Sequence, residues 1–365
     1  MRQGVRARVS DKVSIVVPTR NRRDILRQTL RSARAQSWPN IEIVVVDEAS
    51  TDGTARMLAS EFPEVKVVRH DVPHGPGGAR NAGIAASDGD WVLFLDDDDL
   101  LHGDHVKELV AAAKEVPEGH VVSGQWRRFV ATSTGIQLGP IMCAPPSRSA
   151  METLAEFLEP QGEGSVWTSS ALWPRSVFKT VLWDEQLFTN GDVDFFGSAV
   201  LAGAQIVGRP VGMAYYRAHS GQRVAGSGTL RSLLSAARYR LKWSQLLLSH
   251  PGHQVCAEAM RNGFMTLLIG LAGVPDAQEL MPFLLDAYRM WGGKGYYVSN
   301  PPQHSLKRWI ARGALKVGGL TVLHWLLKQA SRPRKVQQSD MALYGMPSTD
   351  ADKSDVVAIR SLDEA

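Results

Sequence analysis

The 365-residue chain is poor in cysteine, in long apolar runs and in charge of one sign. Its two cysteines, Cys143 and Cys256, are far apart and make no metal-ligand pattern. That excludes a disulfide-stapled scaffold and a cysteine-based zinc site, and it predicts a reducing compartment. No stretch reaches the ~18 consecutive apolar residues of a membrane-spanning helix. The basic start, "MRQGVRARVSDK", has no apolar core behind it and does not read as a secretory signal. The formal net charge is +4, too small a surplus to imply nucleic-acid binding. No internal repeat is visible. The length suits one large domain with an appendage, or two domains.

What is present is an alternation of strand and helix signals. "VSIVVP" (13–18) is a continuous β-branched apolar run, as in a strand buried on both faces. Ile25, Leu26, Thr29, Leu30 and Ala33 then recur at helical spacing. "PNIEIVVVDEAS" is a second strand that ends in acids, and "TDGTARMLASEF" opens a helix with Thr51 or Asp52 as N-cap. "VKVVRH" is a third strand, "GPGGARNAGIAAS" a glycine-rich turn entering a helix, and "DWVLFLDDDD" a fourth strand. This order predicts an α/β fold with a mostly parallel sheet, whose ligands bind beyond the strand C-termini. Further on, "GPIMCAPPSRSA" reads as loop, a helix is expected over 192–203 and a strand over 205–216. The chain is periodic and helical from about 228, and polar after about 332. The expected division is a flexible N-terminus (1–11), an α/β domain (12–225), a helical extension (226–332) and a disordered tail (333–365).

Asp96, Asp97, Asp98 and Asp99 raise the chemical question, because four like charges follow a buried strand. A helix N-cap role explains Asp99 and at most one more. A hard divalent cation shared by neighbouring carboxylates, and carrying a diphosphate, explains the rest.

The order "VSIVVPTRNR", "IEIVVVDEASTDGT", "GGARNAGIAASDGDWVLFLDDDD", continued by "ALWPRSVFKTVLWDEQLF" and "NGDVDFFGSAVLAGAQI", resembles the family 2 inverting glycosyltransferases of GT-A fold, over residues 11 to 222. The resemblance implies a nucleoside-diphosphate sugar donor, a UDP-sugar by expectation, and Mn²⁺ or Mg²⁺ as cofactor. It places Asp96 and Asp97 at the nucleotide, Asp97 near the ribose, and Asp98 on the metal. It assigns Pro18, Thr19 and Arg20 to the base pocket, with Asp47, Glu48 and Arg80 also nucleotide-binding. Glu48 stands where relatives usually have aspartate, which leaves the base open. Asp192 falls on the catalytic base, and Gly191 replaces the glutamate that precedes it in the family. Asp194 is the runner-up for the base. His219 is a second metal ligand by the same resemblance, and Trp167, Trp173 and Asp194 are candidates for the acceptor site. Plain core packing is the competing explanation for each tryptophan.

The cationic, amphipathic stretch 304–329 fits either a helix packed on the domain or an interfacial helix on an anionic membrane. The resulting expectation is a cytoplasmic enzyme, peripheral on the inner face of the plasma membrane. Its acceptor is a glycan, a lipid-linked sugar or another hydroxyl compound, in cell-envelope polysaccharide biosynthesis. The alternatives are a metal-dependent nucleotidyltransferase and a non-catalytic module that binds sugar nucleotides or glycans, the latter suggested by Gly191.

Overall fold

The computed structural model describes residues 11–132, 135–159, 165–218, 230–271, 279–293 and 350–364. His219 and the amphipathic stretch 304–329 lie outside the described residues.

A nine-stranded sheet forms the centre. Its strands are β1 (Val13–Thr19), β2 (Ile41–Glu48), β3 (Lys66–His70), β4 (Trp91–Phe94), β5 (Leu100–Leu101), β6 (Val121–Thr132), β7 (Gly135–Met142), β8 (Ala171–Pro174) and β9 (Ile206–Arg217). They lie in the order β3-β2-β1-β4-β8-β6-β9-β5, with β7 also paired to β6. The pairs β3/β2, β2/β1, β1/β4 and β6/β9 are parallel, whereas β8 runs against both its neighbours. "GPIM", expected as loop, is therefore strand: the β6/β7 hairpin pairs Trp126 with Met142 and Arg127 with Ile141. Tertiary pairing overrides the weak local signal there.

The helices are α1 (Arg23–Arg34), α2 (Thr54–Glu61), α3 (Gly75–Ala86), α4 (His105–Ala113), α5 (Ala150–Leu158), α6 (Gly191–Leu201), α7 (Leu230–Leu248), α8 (Ala257–Leu271), α9 (Met281–Met290) and α10 (Asp350–Glu364). Strand alternation splits the core. Val13, Ile15 and Val17 of β1 face a cluster with Leu26 and Leu30 of α1, Met57 of α2 and Leu109 of α4. Val16 and Phe94 face the other side, with Ile84 of α3, Leu154 of α5 and Phe195 of α6. Trp243, Phe264 and Leu284 of the C-terminal helices belong to that second cluster, so the extension shares a core with the sheet.

Three local expectations change. The glycine-rich stretch is not a turn before α3 but its first two turns, and a Cβ at Gly77 would sit 2.8 Å from the carbonyl oxygen of Asp184. Only glycine permits that approach. Asp99 caps no helix, since α4 begins at His105. The tail expected to be disordered contains α10, which buries Ile359 and Asp355. Asp355 accepts hydrogen bonds from Arg127 Nη1 (2.9 Å) and the Tyr215 hydroxyl (2.5 Å), fixing α10 to β6 and β9.

Candidate active site

A cleft of about 1330 Å³ opens beyond the C-terminal ends of β1, β2 and β4. Pro18, Thr19 and Arg20, Glu48, Arg80, Asp96, Asp97, Asp98, Trp167 and Asp192 all line it. Residues up to 174 positions apart in sequence, from Pro18 to Asp192, are thus gathered into one concavity.

The four aspartates have different surroundings. Arg80 Nη2 donates to Asp96 Oδ1 at 2.5 Å, and its guanidinium lies 4.4 Å from the Trp183 ring centroid. Thr19 Oγ1 donates to Asp97 Oδ2 at 2.7 Å, and Arg22 Nη1 donates to Asp97 Oδ1 at 3.1 Å. The same Nη1 contacts Asp98 Oδ2. Asp99 is fully buried and joins three segments: it accepts from Trp167 Nε1 (2.8 Å), Ser169 Oγ (3.1 Å) and the Arg217 backbone N–H (3.1 Å). Burial raises the pKa of Asp96, opposed by Arg80. Burial pushes Asp97 up to about 7, opposed by Arg22. Burial, with Asp98 and Asp96 adding to it, raises Asp99 strongly.

Arg22 provides the test of the expected metal. No group of three His, Cys, Asp or Glu side chains forms a metal cage among the described residues. Asp97 and Asp98 nevertheless aim oxygens at one positive group, the Arg22 guanidinium. Two convergent carboxylates suit Mg²⁺ or Mn²⁺ when substrate phosphates and waters complete the shell. The residues present fit the ion, provided it displaces Arg22.

Other expectations are revised. Asp47 does not line the cleft; it is fully buried, accepts from the Ser50 N–H (2.9 Å) and pairs with Arg69 (2.5 Å), bracing the turn after β2. Glu48 reaches the cleft wall, but both its oxygens are engaged. Oε2 accepts from the N–H groups of His74 and Gly75 at 2.7 Å each, and Oε1 meets His70 Nδ1 at 2.5 Å. It thus satisfies the N-terminal end of α3. Trp173 is fully buried against Phe195 and Phe196, so core packing, not acceptor binding, explains it. Asp194 is fully buried and also leaves the cleft wall. Lys242 Nζ donates to its Oδ2 at 2.8 Å and Trp243 Nε1 to its Oδ1 at 2.9 Å.

That network exposes a wall that sequence reasoning missed. The loop before α6, and the first turn of α6 with Asp192, are held by α7. Lys242 also pairs with Asp184 at 3.2 Å, Thr189 N–H donates to Ser235 Oγ at 3.0 Å, and Thr189 Oγ1 donates to the Ser232 carbonyl at 3.2 Å. Arg231, Arg238, Lys242 and Gln245 line the cleft from α7. Their spacing of seven, four and three residues, one helical face, was the available signal. Arg22 carried none, because its partners lie 75 and 76 positions away.

The strand order and the position of the cleft are those of the GT-A fold. Residues 14–182, just under half of the chain, match the family described as Glycosyl transferase family 2. Succinoglycan biosynthesis protein ExoO of Rhizobium meliloti is 39% identical over 102 residues, 28% of this chain and 29% of that protein. The GalNAc(5)-diNAcBac-PP-undecaprenol beta-1,3-glucosyltransferase of Campylobacter jejuni is 33% identical over 108 residues, 28% of this chain and 35% of that protein. These alignments span about a third of each relative's length. Among solved structures, S. aureus TarS 1-349 matches with a TM-score of 0.55 at 18% identity, covering 88% of this chain and 93% of that one. Its complex with UDP-GlcNAc matches with a TM-score of 0.56 at 17% identity, with the same coverage. At these identities the likeness establishes the fold. Among the described residues no helix is long and apolar enough to cross a membrane.

Proposed function

We propose that the protein is an inverting glycosyltransferase that moves a sugar from a nucleoside-diphosphate sugar, a UDP-sugar by preference, to an acceptor hydroxyl. One observation carries the reading. Asp192, in the first turn of α6, shares a cleft with the Asp96–Asp98 run and lies near enough for its charge to raise the Asp96 pKa. Base and leaving-group machinery thereby flank one space.

In this reading the base pocket is the β1 end, Pro18 to Arg20, where the exposed Arg20 stacks on the ring. Asp97, held by Thr19, binds the ribose. The acceptor hydroxyl reaches Asp192 and gives its proton to that carboxylate as its oxygen attacks the anomeric carbon. The new C–O bond forms on the face opposite the diphosphate, the old one breaks, and the nucleoside diphosphate leaves with the electron pair. One inversion results and no covalent intermediate forms. Asp98, with Asp97 beside it, would hold a divalent cation, Mn²⁺ or Mg²⁺, which supplies positive charge against the leaving diphosphate.

The UDP-GlcNAc bound by TarS supports the choice of UDP, and the name of the Campylobacter relative supports a glycan or lipid-linked acceptor. Action at the inner face of the plasma membrane belongs to the same reading. Calorimetry with UDP tests it, with Mn²⁺ and then with EDTA, on the wild type, Asp98→Ala and Asp192→Asn. UDP binding is expected to need the metal and Asp98 but not Asp192, while transfer needs all three. Absence of binding to any nucleoside diphosphate would end this reading.

A further inference from the structure

The two walls of the cleft differ in how their charges are matched. On the sheet side, Arg80 is paired with Asp96 and Arg22 with Asp97 and Asp98. On the α7 side, Lys242 is already shared by Asp184 and Asp194. Arg231 and Arg238 are exposed, line the cleft, and have no carboxylate partner among the described residues. Arg231 lies 3.8 Å from the centroid of the Phe188 ring, which holds its guanidinium over an apolar face and leaves the N–H groups at the ring edge for a ligand. The segment that leads into α7, "HSGQRVAGSGT" (219–229), contains no acid in its sequence.

Gly191 adds a second observation. Its backbone is not in the left-handed region, and a Cβ there would meet only the Trp183 ring, at 3.8 Å. Neither conformation nor packing requires glycine at this position. A side chain would fit, and glycine instead leaves open, uncharged space directly beside Asp192.

We propose that the α7 wall receives an anionic group of the acceptor, a carboxylate or phosphate, on Arg231 and Arg238, and that Gly191 keeps the approach to Asp192 free of an opposing charge. The inference rests on the glycosyltransferase reading. The two arginines act on the acceptor as forked donors whose geometry matches either oxyanion. The reacting hydroxyl stays neutral; the anionic group lies elsewhere on the acceptor and sets its register against Asp192.

The test uses the full chain and three fluorescent oligosaccharide probes of equal length. One is neutral, one is built of uronic acid units, and one carries phosphodiesters. Binding is followed by polarisation with and without UDP, so nucleotide binding and acceptor preference are read independently. At least one anionic probe is expected to bind about tenfold tighter than the neutral one, as two exposed charge contacts allow, with the advantage shrinking as salt rises. Which anionic probe wins identifies the source of the charge. The Arg231→Ala/Arg238→Ala double variant is expected to lose the preference and keep UDP affinity. Gly191→Glu is expected to lower affinity for the anionic probe, while the uncharged Gly191→Gln keeps it. Equal binding of all three probes, or no binding by either anionic one, overturns the proposal. So does a double variant whose defect is in UDP affinity, because the arginines would then serve the donor.

Discussion

Lys242→Met removes the cation from a fully buried carboxylate. Asp194 keeps only the Trp243 Nε1–H at 2.9 Å, and Asp184 loses its cation but keeps the Gln186 N–H at 3.0 Å. Breaking a buried pair from one side costs about 3–5 kcal/mol. The Lys242 side chain is 33% exposed, so solvent screens part of the interaction, and about 2–3 kcal/mol is the better figure. At ~2 °C per kcal/mol for a chain of this size, Tm falls by about 4–6 °C. Calorimetric melting of the full-length protein measures this. Adding Asp194→Asn should restore a good part of it, since the amide oxygen still accepts from Trp243 and no charge remains to be compensated. Function should follow geometry: kcat falls because the first turn of α6, which bears Asp192, loses the Lys242 tie to α7 and keeps only the Trp243 and Thr189 hydrogen bonds, whereas UDP affinity holds. An unchanged Tm, or a double variant no more stable than Lys242→Met, would refute the reasoning.

Three further outcomes are expected. Arg22→Ala should tighten Mn²⁺ binding about tenfold by calorimetry, since the ion no longer displaces a guanidinium; unchanged affinity would mean that Arg22 and the ion do not compete. His105 is fully buried, its ring Nε2 is 3.0 Å from the Ser169 carbonyl oxygen, and burial lowers its pKa from 6.5 to about 4. The unfolded chain takes up this proton first, so the contribution is whole above pH 6.5 and is lost as pH falls towards 4, by about 3 kcal/mol. His105→Gln should flatten that part of the stability curve measured by urea unfolding. Asp355→Ala removes the carboxylate that accepts from Arg127 Nη1 and the Tyr215 hydroxyl, while Arg127 keeps its bonds to the Gly139 carbonyl, and should cost about 1.5–3 kcal/mol, read as faster proteolytic loss of residues 350–364.

The fold was legible wherever local sequence and tertiary position agree. The β-branched runs of β1 and β2, with the acids that close β2 and follow β4, predicted both the parallel sheet and the edge where the cleft opens. Partner choice was less legible. Asp96 to Asp99 are identical in type and adjacent, yet one meets Arg80, two share Arg22, and one binds two segments 68 to 118 positions away. Trp167 and Trp173 are six residues apart, and only the β4/β8 register sends the second into the core. Asp192 and Asp194 differ by two helical positions, about 200° around the helix, so one faces the cleft and the other α7. "GPGGARN" was misread because propensity disfavours glycine in helices, while close packing against Asp184 demands it.

The family match ends at residue 182, two positions before Asp184, in the loop that leads into α6 and Asp192. The wall formed at the sheet edge thus lies largely in one continuous stretch of chain, and the α7 wall in another. On the reading proposed above, exchanging everything after β8 between relatives would graft a different acceptor wall onto the donor side. The hydrogen bonds of Asp194, Thr189 and Ser235 mark where such a graft must be cut: α6, its preceding loop and α7 have to travel together.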